Sequence, residues 1–144
     1  MTDSIALLLI THGNLGKAAI ESAELIVGKQ ENFDTISIFA VDEVNNLKQD
    51  MLNKVSRLDT GKGLIVLTDI IGGTPTNLAS YLLEDEHTVL VSGLNLPILI
   101  EILMNRNENI KSIIENIKEA YHEGFTIRTN EDIKKGGDED EYSL

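Results

Sequence analysis

The chain carries three histidines and no cysteine. One histidine stands apart: His12, in Thr11-His12-Gly13-Asn14, directly after the apolar run Ile5 to Ile10. A second polar segment, Asp69-Ile-Ile-Gly72-Gly73-Thr74-Pro75-Thr76-Asn77, follows another apolar run, Gly63 to Thr68. A carboxylate that accepts a hydrogen bond from one imidazole nitrogen leaves the other as a lone-pair nucleophile. If His12 and Asp69 meet, histidine itself becomes the nucleophile. The turn Gly72-Gly73-Thr74-Pro75 would aim free backbone N–H groups at an anion, with a helix dipole behind them. Small residues at Gly13, Gly72 and Gly73 permit close approach, and the hydroxyls of Thr74 and Thr11 can donate. The expected chemistry is the handling of a phosphoryl group.

Each part also has a bland reading. A histidine at a strand end is often a hydrogen-bonded bystander, an aspartate there is often a cap, a double glycine is a tight turn, and Thr-Pro is a helix start. Only their convergence at one sheet edge would make a site. The glycines fit neither a Walker A loop, because no Gly-Lys-Ser/Thr follows, nor the dinucleotide fingerprint. His87 lies among acids ahead of a strand, at the opposite sheet edge, and His122 closes a helix where a cation suits the dipole. Neither is expected to be catalytic. No histidine pair sits at helical spacing and no carboxylate cluster has metal-loop spacing, so no metal site is expected.

The residues that would position this chemistry alternate in type. Ile5–Ile10, Gly63–Thr68 and Thr88–Ser92 read as strands, the first buried on both faces. Thr35–Ala40 is a weaker strand, and Phe125–Thr129 a short polar one suited to an edge. Helical spacing fills the gaps. Leu15, Ala18, Ala19, Ser22, Leu25 and Ile26 share one face, as do Val44, Leu47, Met51, Val55 and Leu58. Pro75–Leu83 reads as a helix capped by Thr74, Pro97–Met104 as another, and Ile110 to Tyr121 as the last, stopped by Gly124.

This order implies an α/β fold, doubly wound on a mainly parallel sheet, with helices on both faces and a short C-terminal edge strand. With a flavodoxin-like strand order of 2-1-3-4, the first and third strands are neighbours. Ligands then bind beyond their carboxyl ends, where His12 and Asp69 stand. Residues 1–130 are expected to form one domain and residues 131–144 a solvated acidic tail.

Composition narrows the function. With 24 acidic and 12 basic residues the net charge is −12, which disfavours nucleic acid as a partner. The absence of cysteine excludes disulfides, thiolate metal sites and cysteine nucleophiles. The hydrophobic fraction of 42% indicates a folded chain. Neither a signal peptide nor a membrane span is read, so the expected location is the cytoplasm.

Three segments in order carry a resemblance: Ile10-Thr-His-Gly13, Asp69-Ile-Ile-Gly-Gly-Thr-Pro-Thr-Asn77, and Ser92-Gly-Leu-Asn-Leu-Pro-Ile-Leu-Ile-Glu101. Together they resemble the IIA component of the mannose-family sugar phosphotransferase system, over about residues 4–128. The resemblance implies a phosphohistidine intermediate. His12 matches the histidine that takes a phosphoryl group from the histidine-containing phosphocarrier protein and passes it to a IIB component. That component serves sugar uptake through a IIC/IID membrane permease. Asp69 matches the orienting carboxylate and Thr74 a hydroxyl residue near the phosphoryl group. No ATP, metal or organic cofactor is implied. The family forms homodimers in which a C-terminal strand crosses over, and Phe125–Thr129 would be that strand. Where many relatives carry an aromatic residue, this chain has Ile71 and Thr76, which bears on packing against partners. With no IIB domain following, IIB is expected to be a separate protein.

Two related alternatives are a non-catalytic module that senses phosphorylation state and a phosphoryl donor subunit for dihydroxyacetone. A receiver domain would need an acidic pair after the first strand, where Thr11-His12 stands. A flavodoxin would need aromatic residues to sandwich its flavin, and aromatics make up 4%.

Overall fold

The computed structural model describes residues 3–136. Four strands form one parallel sheet: β1 (Ala6–His12), β2 (Phe33–Ile38), β3 (Leu64–Thr68) and β4 (Thr88–Ser92), in the order β2-β1-β3-β4. The helices are α1 (Leu15–Val27), α2 (Val44–Ser56), α3 (Gly73–Ser80), α4 (Leu96–Met104), α5 (Ile110–Glu123) and α6 (Asn130–Gly136), and a 3₁₀ turn spans Tyr81–Glu84.

The continuous apolar run of β1 is explained by its place in the sheet. Flanked by β2 and β3 and covered on both faces, its residues from Ala6 to Ile10 are at most 1% exposed. Successive side chains point to opposite faces. Leu7, Leu9, Ile65 and Leu67 pack with Ile20 and Ala23 of α1, the apolar face of α4, and Ile113 and Ile117 of α5. Ala6, Leu8, Ile10 and Val66 pack with Leu47 and Met51 of α2 and Leu78 and Ala79 of α3. The fold is therefore doubly wound, in the strand order expected.

Two local expectations are corrected. First, α1 buries Gly16, Ile20 and Ala23, while Leu15, Leu25 and Ile26 of the expected face are exposed. The cause is close approach: a Cβ on Gly16 would lie 3.1 Å from Leu9 Cβ and 3.2 Å from Thr11 Cγ2. Gly16 and Ala23 let α1 lie close to the sheet with Ile20 between them, and Leu15, Leu25 and Ile26 fall outside the buried face.

Second, α3 begins at Gly73 with Gly72 as N-cap, two residues ahead of Pro75, and gives way to the 3₁₀ turn after Ser80. The positive φ of Gly72 and Gly73 lets the chain turn earlier than a Thr74 cap would.

The segment Phe125–Thr129 pairs with no strand among the described residues of this single chain, and its Phe125 and Ile127 side chains are 70% and 76% exposed. A polar five-residue strand needs an edge to join. The expected tail opens with the exposed helix α6, started by Thr129, whose N–H and hydroxyl both donate to Asp132. The remainder of the expected tail, 137–144, lies outside the described residues.

The amino edge of the sheet is held by Arg106, which is 7% exposed and donates to the carbonyls of Ile5, Glu31 and Asn32. The carboxyl edge is built differently, from short turns rich in exposed polar groups.

Candidate active site

His12 is the last residue of β1 and falls on the α2/α3 side of the sheet by alternation. Asp69 follows the last residue of the neighbouring strand β3. Strand order and a fixed register, with Ile10 opposite Thr68, bring the two together although 57 residues separate them. Asp69 Oδ2 lies 3.0 Å from the backbone nitrogen of His12 and 2.9 Å from its ring Nδ1. Asp69 Oδ1 accepts the N–H of Ile70 at 2.9 Å.

These contacts assign the proton. Burial of Asp69 opposes its ionisation, but hydrogen bonds from the His12 backbone and ring and from Ile70 outweigh this and hold the carboxyl below its ordinary value. An ionised carboxylate only accepts, so Nδ1 carries the hydrogen and Nε2 keeps its lone pair. The histidine side chain is 56% exposed while that of Asp69 is 11% exposed. The imidazole is thus the exposed partner of the pair, and the carboxylate lies beneath it.

Gly73 lies against the free side of the ring. A Cβ there would stand 3.7 Å from His12 Cε1 and 3.8 Å from Nε2. With only hydrogen at that position, space remains beside Nε2 for a tetrahedral group. Gly73 also opens α3, whose N-cap makes no side-chain cap hydrogen bond. The first-turn N–H groups of a helix have no intrahelical acceptor, so this end suits an anion. Thr74 comes next, half-buried, beside a groove lined by Val44, Asn77 and Tyr81. Thr76 closes the turn by donating its hydroxyl to the carbonyl of Ile70 at 3.2 Å.

Gly13, at φ +55°, turns the chain out of β1 while its N–H donates to Ile38 of β2 at 2.8 Å. Gly72 has a positive φ of 85° and supports the turn ahead of Gly73. Thr11 is placed differently from the others. It is fully buried, and its hydroxyl donates to Gly13 and accepts from Gly16.

His87 and His122 lie elsewhere. His87 Nδ1 is 3.4 Å from Asp85, ahead of β4, and His122 packs edge-on against Tyr121 at the end of α5.

Two features escaped the sequence reading. Phe39, Val41 and Ile70 are large apolar side chains that join Ile71, all four 49–90% exposed, on the two loops that flank His12. Ile70-Ile71, between an aspartate and a double glycine, was the available signal. The other is a hydrogen bond of 2.7 Å between the hydroxyls of Thr68 and Ser92, register partners at the ends of β3 and β4. It fixes the strand end from which Asp69 departs, and two isolated hydroxyl residues gave no sign of it.

Known proteins resemble the chain over most of its length. The family described as the PTS system fructose IIA component, EIIA-man, matches residues 6–118. The mannose-specific EIIAB component of the phosphotransferase system (PTS) of Escherichia coli K12 is 35% identical over 107 residues, which is 74% of this chain and 33% of that protein. The chain thus spans about a third of the length of that relative. The fructose-specific EIIA component of Bacillus subtilis is 29% identical over 125 residues, covering 85% of this chain and 86% of that protein. Among solved structures, the EIIA component from Streptococcus agalactiae superposes with a TM-score of 0.75 at 31% identity, covering 85% of this chain and 96% of that one. Fold and sequence agree: the chain belongs to the EIIA-man family of IIA components of the sugar phosphotransferase system.

Proposed function

We propose that the chain is a phosphocarrier whose His12 takes a phosphoryl group on Nε2 from the histidine-containing phosphocarrier protein and passes it to a IIB component. The observation that carries this reading is the 2.9 Å contact of Nδ1 with Asp69, which leaves Nε2 open beside Gly73.

In the first step the Nε2 lone pair attacks phosphorus in line with the donor's N–P bond. That bond breaks, and its electron pair returns to the donor imidazole. The Nε2–P bond forms, and the His12 ring gains positive charge while Nδ1 keeps its hydrogen. The Asp69 carboxylate offsets that charge. Gly13, Gly72 and Gly73 leave room for the phosphoryl oxygens, and the N–H groups at the start of α3 with the Thr74 hydroxyl bind them. Delivery to IIB reverses the sequence. Phosphoryl transfer depends mostly on positioning and charge stabilisation, and these are what the residues supply. Sugar uptake follows through the permease that IIB serves, so the working location is the cytoplasmic side of the membrane. Among the described residues no helix is long and apolar enough to cross a membrane.

We further propose that two copies pair through Phe125–Thr129. The apolar side chains of that segment are exposed, and β4 is an edge strand with a groove beside it lined by Val89, Val91, Ile114 and Tyr121. Sedimentation that returns a monomer at micromolar concentration would reject this.

The function is tested by intact-mass measurement after incubation with phosphoenolpyruvate, enzyme I and the phosphocarrier protein. Gain of one acid-labile phosphoryl group, absent in His12→Ala and kept in His87→Ala and His122→Ala, is expected. No gain, with the carrier protein itself phosphorylated, would reject it.

A further inference from the structure

We infer that Thr11 is a positioning residue for His12, clipping the turn that carries the histidine, and not a ligand of the transferred group. The inference rests on the phosphocarrier reading, since it assigns how that site is held.

The hydroxyl of Thr11 has one hydrogen to give. It donates to the carbonyl of Gly13 at 3.2 Å and accepts the N–H of Gly16 at 2.9 Å. The residue is 0% exposed. Alternation along β1 sends Thr11 to the α1 side of the sheet and His12 to the α2/α3 side, where Gly73 stands. No donor hydrogen remains for a phosphoryl oxygen, and the side chain faces away from one.

The two bonds bracket the histidine. The first closes a short ring across His12, from the residue before it to the residue after it. The second ties that ring to the first turn of α1. Gly16 supports the clip from below, since a Cβ there would stand 3.1 Å from Leu9 Cβ and 3.2 Å from Thr11 Cγ2. The consequence reaches Asp69 because one carboxylate oxygen serves both the backbone and the ring of His12, at 3.0 and 2.9 Å. Such sharing survives only while the His12 backbone stays in place. A small shift of the turn gives up one of the two bonds, and with it the tautomer that exposes the Nε2 lone pair.

The test compares wild type with Thr11→Val, which keeps the shape without the hydroxyl, and Thr11→Ser, which keeps the hydroxyl. The first readout is ¹⁵N NMR of the His12 ring in the unphosphorylated protein, above the range in which imidazole is protonated. Wild type and Thr11→Ser should show one tautomer, protonated at Nδ1, and Thr11→Val a mixture. The second is the rate of phosphoryl acceptance. Thr11→Val should lose roughly tenfold to a hundredfold in kcat with KM for the phosphocarrier protein little changed, and Thr11→Ser should restore it.

A wild-type tautomer and rate in Thr11→Val would overturn the inference, as would equal impairment of the valine and serine variants. If Thr11→Val does not fold, Gly16→Ala disturbs the same contact from the helix side. A tautomer mixture there supports the clip, and a pure Nδ1 tautomer overturns it. If wild type accepts no phosphoryl group at all, the phosphocarrier reading fails and the tautomer readout alone decides the role of Thr11.

Discussion

Asp69 Oδ2 receives two hydrogen bonds from one residue, the backbone N–H of His12 at 3.0 Å and its ring Nδ1 at 2.9 Å. A single oxygen thereby fixes both the position of the histidine's backbone and the rotation of its ring. The nitrogen left free is the one beside Gly73.

Asparagine cannot reproduce that arrangement. Its one oxygen can serve the two His12 donors only by setting the amide NH₂ against the N–H of Ile70, which Asp69 Oδ1 now accepts. The reverse orientation opposes the NH₂ to both His12 donors. Asp69→Asn should therefore lower the rate of phosphoryl acceptance by on the order of 10²-fold or more while the protein stays folded. Rapid-quench measurement of labelling checks this, and a rate within threefold of wild type would contradict it.

The acid limb of stability follows from the same contacts. In the unfolded chain the Asp69 carboxyl titrates near its ordinary value, about 3.9. In the folded protein the donors around it hold it lower, against the opposing effect of burial. Its stabilising contribution is thus complete above about pH 3.9 and is lost as pH falls through the lower folded value. A ¹³C NMR titration of the Asp69 carboxyl should place its midpoint below the ordinary value. A midpoint at or above it would mean that burial dominates.

Gly72 and Gly73 separate strain from space. Both have positive φ, 85° and 76°, but a Cβ on Gly72 meets nothing within 4 Å while one on Gly73 faces the His12 ring. Each alanine substitution should cost about 1–3 kcal/mol of stability, read by denaturant unfolding. Only Gly73→Ala should also abolish phosphoryl acceptance at a temperature where both variants are folded. Equal loss of transfer in the two would remove Gly73 from the phosphoryl site.

Ile71 is 81% exposed and adds nothing to the core. If the apolar rim around His12 is where the donor protein seats, Ile71→Asp should reduce kcat/KM for the phosphocarrier protein roughly tenfold. Unfolding by heat should be unchanged. An unaltered kcat/KM would place docking elsewhere.

Much of this site was legible because it depends on patterns that short segments carry. A buried run ending in Thr-His-Gly, and a second ending in Asp before a double glycine, need only the strand order 2-1-3-4 to meet. What could not be read depends on distances between elements. Nothing local in α1 says that Gly16 must approach Leu9, or that Leu25 and Ile26 fall outside the buried face. The hydroxyl of Thr11 reads as a ligand in the sequence because it adjoins His12; strand alternation sends the two side chains to opposite faces of the sheet. The start of α6 was readable: Thr129-Asn-Glu-Asp132 has capping-box spacing, and the acidic residues beyond it concealed the signal. Phe125–Thr129 has the alternation of a strand, but pairing is a property of the surroundings and not of the segment.

The central claim is that His12 is phosphorylated on Nε2 with Nδ1 held by Asp69. NMR of the phosphorylated protein, labelled with ¹⁵N in its histidine rings, tests this most directly. The account predicts phosphorus coupling to Nε2 of His12 and a hydrogen retained on Nδ1. A phosphoryl group on Nδ1, or on His87 or His122, would contradict it.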